Sequence, residues 1–87
     1  MSEPHDVRLR RLRLRAWRRG IREMDLLMGG YADARLADLD EAGLDLFEAA
    51  LGEDDHDLYN WVAGREDPPR RYASLVAEFR TMAPSAP

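Results

Sequence analysis

Tyr72, Leu75, Val76, Phe79 and Met82 recur at i, i+3, i+4, i+7 and i+10, the period of a helix that buries one face. This stripe fixes a helix near the C-terminal end and demands a partner surface to cover it. Upstream segments supply that surface with the same period. Leu9, Leu12 and Ala16 fall on one face of a segment from Val7 to Arg18, and Ile21, Met24, Leu27, Met28 and Tyr31 form a second stripe. Leu12, Leu14 and Ala16 also alternate with arginines as a strand would, but no hairpin partner is visible, so helix is favoured. Gly29-Gly30 interrupts the second stripe, and each glycine costs about 1 kcal/mol relative to alanine inside a helix, so a bend or stop is expected there.

Polar punctuation delimits the remaining elements. Asp40 is placed to cap a helix over 41–51 with Leu44, Phe47 and Leu51 inward, and Glu53-Asp54-Asp55-His56-Asp57 offers caps for a fourth helix with Leu58, Trp61 and Val62 as its apolar face. Gly64 ends that helix, and Arg65-Glu66-Asp67-Pro68-Pro69 connects it to the last, with a proline suited to a first turn. The expected fold is all-α: a single-domain bundle of five short helices over 7–82, with a flexible N-terminus at 1–6 and a disordered tail at 83–87. A chain of 87 residues has room for one small core.

Charge is segregated along the chain. All thirteen basic residues are arginine; residues 1–22 balance at +6, residues 23–67 at −12 and residues 68–87 at +2. Such a dipolar chain favours docking by electrostatic complementarity. The arginine segment could contact phosphates, but the acidic body repels a polyanion at close range, which disfavours nucleic acid. Cysteine is absent, which excludes disulfides and thiolate metal sites and fits a reducing compartment. No apolar run reaches the length of a membrane span, the start is not a signal peptide, and little chain is left for a transit peptide, so a soluble, cytoplasmic protein without membrane insertion is expected.

Catalytic and metal constellations are not visible. Asp54, Asp55, His56 and Asp57 are consecutive and cannot all face one ion, and no second cluster completes a shell. Neither His5 nor His56 has a nucleophile arranged with it, and Gly29-Gly30 lacks the spacing of a phosphate loop. The expectation is therefore a protein that is not an enzyme and carries no cofactor or metal of its own.

Two motifs remain. In Trp17-Arg18-Arg19-Gly20-Ile21-Arg22-Glu23-Met24-Asp25, Gly20 read as an N-cap puts Glu23 at the third helical position, where its carboxylate can reach back to the cap amide. The same residues also read as a docking site, with a bare backbone at Gly20 flanked by Arg19 and Glu23. In the second motif Tyr59 and Trp61 lie on nearly opposite sides of the fourth helix. Trp61 is assigned to the core, and Tyr59 with Asn60 to solvent or a partner.

Together, Arg18-Arg19-Gly20-Ile21-Arg22-Glu23-Met24-Asp25 and Asp54-Asp55-His56-Asp57-Leu58-Tyr59-Asn60-Trp61 resemble the flavinylation assembly factors of succinate dehydrogenase, which carry an Arg-Gly-x-x-Glu motif and an acidic stretch leading into an aromatic-Asn/x-Trp helix. The similarity spans about Arg15 to Met82. It implies a non-enzymatic maturation factor that binds the flavoprotein subunit of succinate dehydrogenase, and in some cases of fumarate reductase; separately, a monomer is expected. The factor would promote covalent attachment of FAD, the flavin being carried by the client. Arg19, Gly20 and Glu23 match the family motif, and Ile21, Arg22, Arg18, Tyr59 and Asn60 extend the implied partner surface. Gly29-Gly30 and Gly43 depart from the larger residues and the capping-box glutamate usual in relatives, which implies weaker helices. The alternative is an antitoxin-like or nucleic-acid-binding protein that uses the arginine segment and loses affinity with salt.

Overall fold

The computed structural model describes residues 3–82; the expected tail at 83–87 lies outside them. Five α-helices form, with no strand among the described residues: α1 (His5–Trp17), α2 (Arg22–Arg35), α3 (Glu41–Leu51), α4 (Asp55–Val62) and α5 (Ala73–Met82). Single 3₁₀ turns, Leu36–Asp38 and Arg70–Tyr72, lead out of α2 and into α5. Helix α1 begins at His5, two residues before the expected Val7.

Local signals set two starts as expected. The Asp40 carboxylate accepts from the Gly43 amide at 2.8 Å, and the Asp54 carboxylate accepts from the His56 and Asp57 amides at 3.0 and 3.3 Å. Each satisfies amides that have no partner within their own helix.

Helix α2 does not stop or break at Gly29-Gly30; it runs through to Arg35. Gly29 is where the α1 C-terminus closes on α2. A Cβ built there would lie 2.2–2.7 Å from three atoms of the Trp17 ring, so glycine leaves the room in which that ring sits.

The core lies where α2, α3 and α5 converge. Tyr31 stacks on Phe47 with ring centroids 5.4 Å apart and meets Phe79 edge-on at 4.9 Å. Leu12 and Ala16 enter from α1, Met24, Leu27 and Met28 from α2, and Leu75 and Val76 from α5, all buried. Trp61 is buried and stacks on Tyr72 at 5.8 Å, joining α4 to the entrance of α5. The end members of two predicted stripes, Ile21 and Met82, are exposed.

Part of the N-terminal positive charge is paired within the molecule. Arg8 pairs with Glu41, Asp45 and Glu48 at 3.3, 2.6 and 3.0 Å, Arg11 bridges Glu3 and Glu48 at 2.9 and 3.0 Å, and Arg13 meets Asp33 at 3.2 Å. Hydrogen bonds from Arg11, with help from Arg8, hold the Glu48 carboxyl below the usual carboxylate range. A folded-state pKa below the unfolded value of about 4.3 contributes stability that is complete above that value and is lost as pH falls through the folded pKa. Thermal unfolding followed by circular dichroism is therefore expected to show falling stability below about pH 4.3. Glu48→Gln should remove part of that acid sensitivity.

Candidate functional site

The loop joining α1 to α2 carries the first motif, and its shape follows from one aspartate. Asp25, in the first turns of α2, accepts from the backbone amides of Arg19 and Gly20 at 2.7 and 3.2 Å. This closes the loop over the helix start and satisfies two amides at once. Gly20 consequently takes φ +98°, a region that costs a residue with a side chain about 1–3 kcal/mol. The capping role expected of Gly20 is not seen: Ile21 is the N-cap, without a side-chain cap bond, and Glu23 sits at the second helical position. Asp25 fills the role that the sequence reading gave to Glu23.

Arg19 does not flank the approach to Gly20 beside Glu23. Its guanidinium, only 9% exposed, pairs through Nε with Asp55 and donates to the carbonyls of Leu51 and Glu53 at 2.6 and 2.7 Å. The Leu51 carbonyl belongs to the last residue of α3, and Asp55 opens α4. One side chain therefore satisfies a helix C-terminus, a linker carbonyl and a helix N-terminal carboxylate together. Glu53 continues the connection, since its carboxylate accepts from the Tyr72 hydroxyl at 2.8 Å and from Arg71 at 3.2 Å. The Arg-Gly loop, the α3–α4 junction and the start of α5 are thus tied through polar contacts.

Asn60 also turns inward, against the expectation that it accompanies Tyr59 at the surface. It is buried, with Nδ2 donating to Glu66 at 3.4 Å, while its carbonyl accepts from the Arg65 and Glu66 amides at 2.9 and 3.3 Å. This shapes the turn that ends α4. Tyr59 is 43% exposed, with the Arg65 guanidinium 5.5 Å from its ring centroid.

The outward residues converge. Ile21, Glu23, Met24, Asp55, His56 and Tyr59 line one groove of about 330 Å³ between the N-terminal ends of α2 and α4. Ile21 is 45% exposed. Among the described residues Glu23 makes no ion pair, so its carboxylate stands beside two exposed apolar side chains. Arg18, Gly20 and Arg22 are exposed nearby in the chain. The structure accordingly divides the expected partner surface. Arg18, Gly20, Ile21, Arg22, Glu23 and Tyr59 face outward, whereas Arg19 and Asn60 hold the scaffold. His56 and Asp55 join the groove from the acidic stretch, which sequence spacing could only offer as helix caps.

A groove with one free carboxylate, an imidazole and apolar walls suits protein contact. Two acids of the acidic stretch are committed to folding, Asp54 to the α4 cap and Asp55 to Arg19, and no group of three or more potential metal ligands occurs among the described residues. No described helix is long and apolar enough to cross a membrane.

Residues 10–83 match the family model described as the flavinator of succinate dehydrogenase. Similar curated proteins include several named succinate dehydrogenase assembly factor 2, mitochondrial. That of Mycosarcoma maydis is 36% identical over 72 residues, 83% of this chain and 30% of the relative. The Candida glabrata protein is 39% identical over 62 residues, 71% of this chain and 40% of the relative. The Drosophila grimshawi protein is 30% identical over 80 residues, 90% of this chain and 54% of the relative. This chain thus spans between 30% and 54% of these relatives' lengths. Their mitochondrial names lend no support to the cytoplasmic expectation. Carrying the Arg-Gly-x-x-Glu loop on an all-helical fold and matching the family model over 10–83, the chain belongs to the family of succinate dehydrogenase flavinators.

Proposed function

We propose that this chain binds the flavoprotein subunit of succinate dehydrogenase and promotes covalent attachment of FAD to that subunit. The groove formed by Ile21, Glu23, His56 and Tyr59, next to Gly20, is the docking face. The observation that carries the reading is the exposure, in a member of this family, of Glu23 without an ion-pair partner between two exposed apolar residues. Desolvated against a client, such a carboxylate contributes to recognition through charge-assisted hydrogen bonds, and Tyr59 supplies aromatic contact area. The factor then acts by positioning. It binds one client conformation more tightly and raises its population, while the client's flavin and acceptor residue perform the chemistry. FAD belongs to the client, and the factor contributes no catalytic group.

The alternative of a nucleic-acid-binding arm is weakened by the pairing of Arg8, Arg11 and Arg13 with the chain's own carboxylates. Cations already neutralised release fewer counterions from a polyanion.

Co-expression of the flavoprotein subunit with the wild-type factor, Glu23→Gln, Tyr59→Ala or no factor tests the reading. Covalent flavin is measured as in-gel fluorescence after denaturation. Both variants alter exposed side chains outside the fold's polar ties, so helical content is expected to be unchanged while labelling falls about tenfold, the loss that follows from about 1.4 kcal/mol of client interaction. Equal labelling with and without the factor overturns the proposal.

A further inference from the structure

A second groove opens on the other side of the Arg19–Asp55 pair. It is lined by Leu14, Arg15, Arg18, Arg19, Leu51 and Asp55, with a volume of about 400 Å³. Asp55 borders both grooves, so they form one continuous surface divided by the clamp. Their chemistry differs: the first presents the Glu23 carboxylate, the second presents guanidinium groups. Among the described residues, Arg8, Arg11 and Arg13 of α1 are matched by acids of the chain and Arg10 is not, and at the C-terminal end of the helix the matching is weak. Arg15 comes no closer than 3.9 Å to Glu48, and Arg18 makes no ion pair among the described residues. Leu14, 50% exposed, stands at the same rim.

We propose that the Leu14–Arg15–Arg18 groove receives an extended acidic segment of the flavoprotein client, which seats a carboxylate between the two guanidinium groups and an apolar side chain against Leu14. This rests on the docking assignment above and extends it to a two-part surface in which client and factor exchange both signs of charge. A peptide is favoured over a polynucleotide because only Arg15 and Arg18 are available to an anion in this groove, Arg19 being held by Asp55 and Arg8 and Arg11 by the acids of α3. A polynucleotide draws its affinity from a longer run of free cations, whereas a side-chain carboxylate requires only the two.

Binding kinetics of the purified factor on the immobilised flavoprotein subunit, prepared without covalent flavin, test the assignment over a range of salt concentrations. For Arg18→Glu the association rate is expected to fall about tenfold and the salt dependence to flatten, since charges at an interface rim act chiefly on encounter. Leu14→Ser is expected to raise the dissociation rate instead. Both residues are exposed, so unchanged helical content confirms that folding is retained. If wild-type protein binds and Glu23→Gln weakens it, while Arg18→Glu and Leu14→Ser bind like wild type, the groove assignment fails and the docking face stands. If wild-type protein does not bind the subunit, both fail. Tighter binding of a fluorescent DNA duplex than of the subunit, lost in Arg18→Glu, overturns the peptide assignment in favour of nucleic acid.

Discussion

Arg19→Ala is expected to destabilise the fold by about 3–5 kcal/mol, the cost of leaving one member of a largely buried ion pair without its partner. Asp55, 20% exposed, would lose its cation, and the carbonyls of Leu51 and Glu53 would lose their charged donor. Natural domains have only about 5–15 kcal/mol to lose, so the variant should melt far below wild type in a circular dichroism scan. Arg19→Lys should recover only part of the loss. An ammonium can pair with Asp55, but it lacks the planar fork that reaches three acceptors lying in different directions. Glu23→Gln is the contrasting control, with stability within about 0.5 kcal/mol of wild type, as expected for an exposed side chain. The two charged residues of one short motif thus separate by assay, Arg19 acting on stability and Glu23 on client binding. An Arg19→Ala variant as stable as wild type would show that the clamp is not formed.

Gly29→Ala is expected to destabilise by about 1–3 kcal/mol although alanine is the better helix former. The new methyl would overlap the Trp17 ring, and even its root atom Cγ lies 2.7 Å from the Cβ position. Rotating the outer edge of the indole cannot relieve that overlap, so the whole side chain must leave its seat and give up its packing on α2. Tryptophan emission should shift to longer wavelength, with buried Trp61 as the unchanged background. Gly30 is the internal control, having nothing within 4 Å of its Cβ position. Gly30→Ala should therefore gain roughly 0.5–1 kcal/mol from helix propensity and a less flexible unfolded chain. If both alanines stabilise equally, Trp17 is not seated on Gly29.

Adjacent glycines with opposite expected effects show where sequence reasoning reaches its limit. Propensity treats Gly29 and Gly30 alike and places a bend in α2. The contact that gives Gly29 its role comes from Trp17, on another helix. Features decided within a turn or two were legible: the cap at Asp40, a cap somewhere in Glu53-Asp54-Asp55-His56-Asp57, the end of α4 before Gly64, and the stripe on α5. Burial of Trp61 and exposure of Tyr59 followed from helical spacing alone. Arg19 was not legible in this way, because its acceptors at Leu51, Glu53 and Asp55 lie 32–36 residues away and an arginine beside an exposed glycine reads naturally as surface. Asn60 misled for a related reason. Its place beside Tyr59 predicts a shared face, but consecutive residues on a helix point about 100° apart, and the turn after α4 folds back to meet the amide. The motif identifies the family, yet only tertiary structure sorts its residues into those that hold the surface and those that present it.

That division is tested most directly by site-specific photo-crosslinking to the flavoprotein subunit. A benzophenone side chain placed at Tyr59, in the groove with Glu23, is compared with one placed at Ala77, exposed on α5. A factor–flavoprotein adduct at position 59, absent at position 77 and abolished by Glu23→Gln, is the predicted result. An adduct at position 77 with none at 59, in cells where covalent flavin still forms, would place the client on another face and contradict the account.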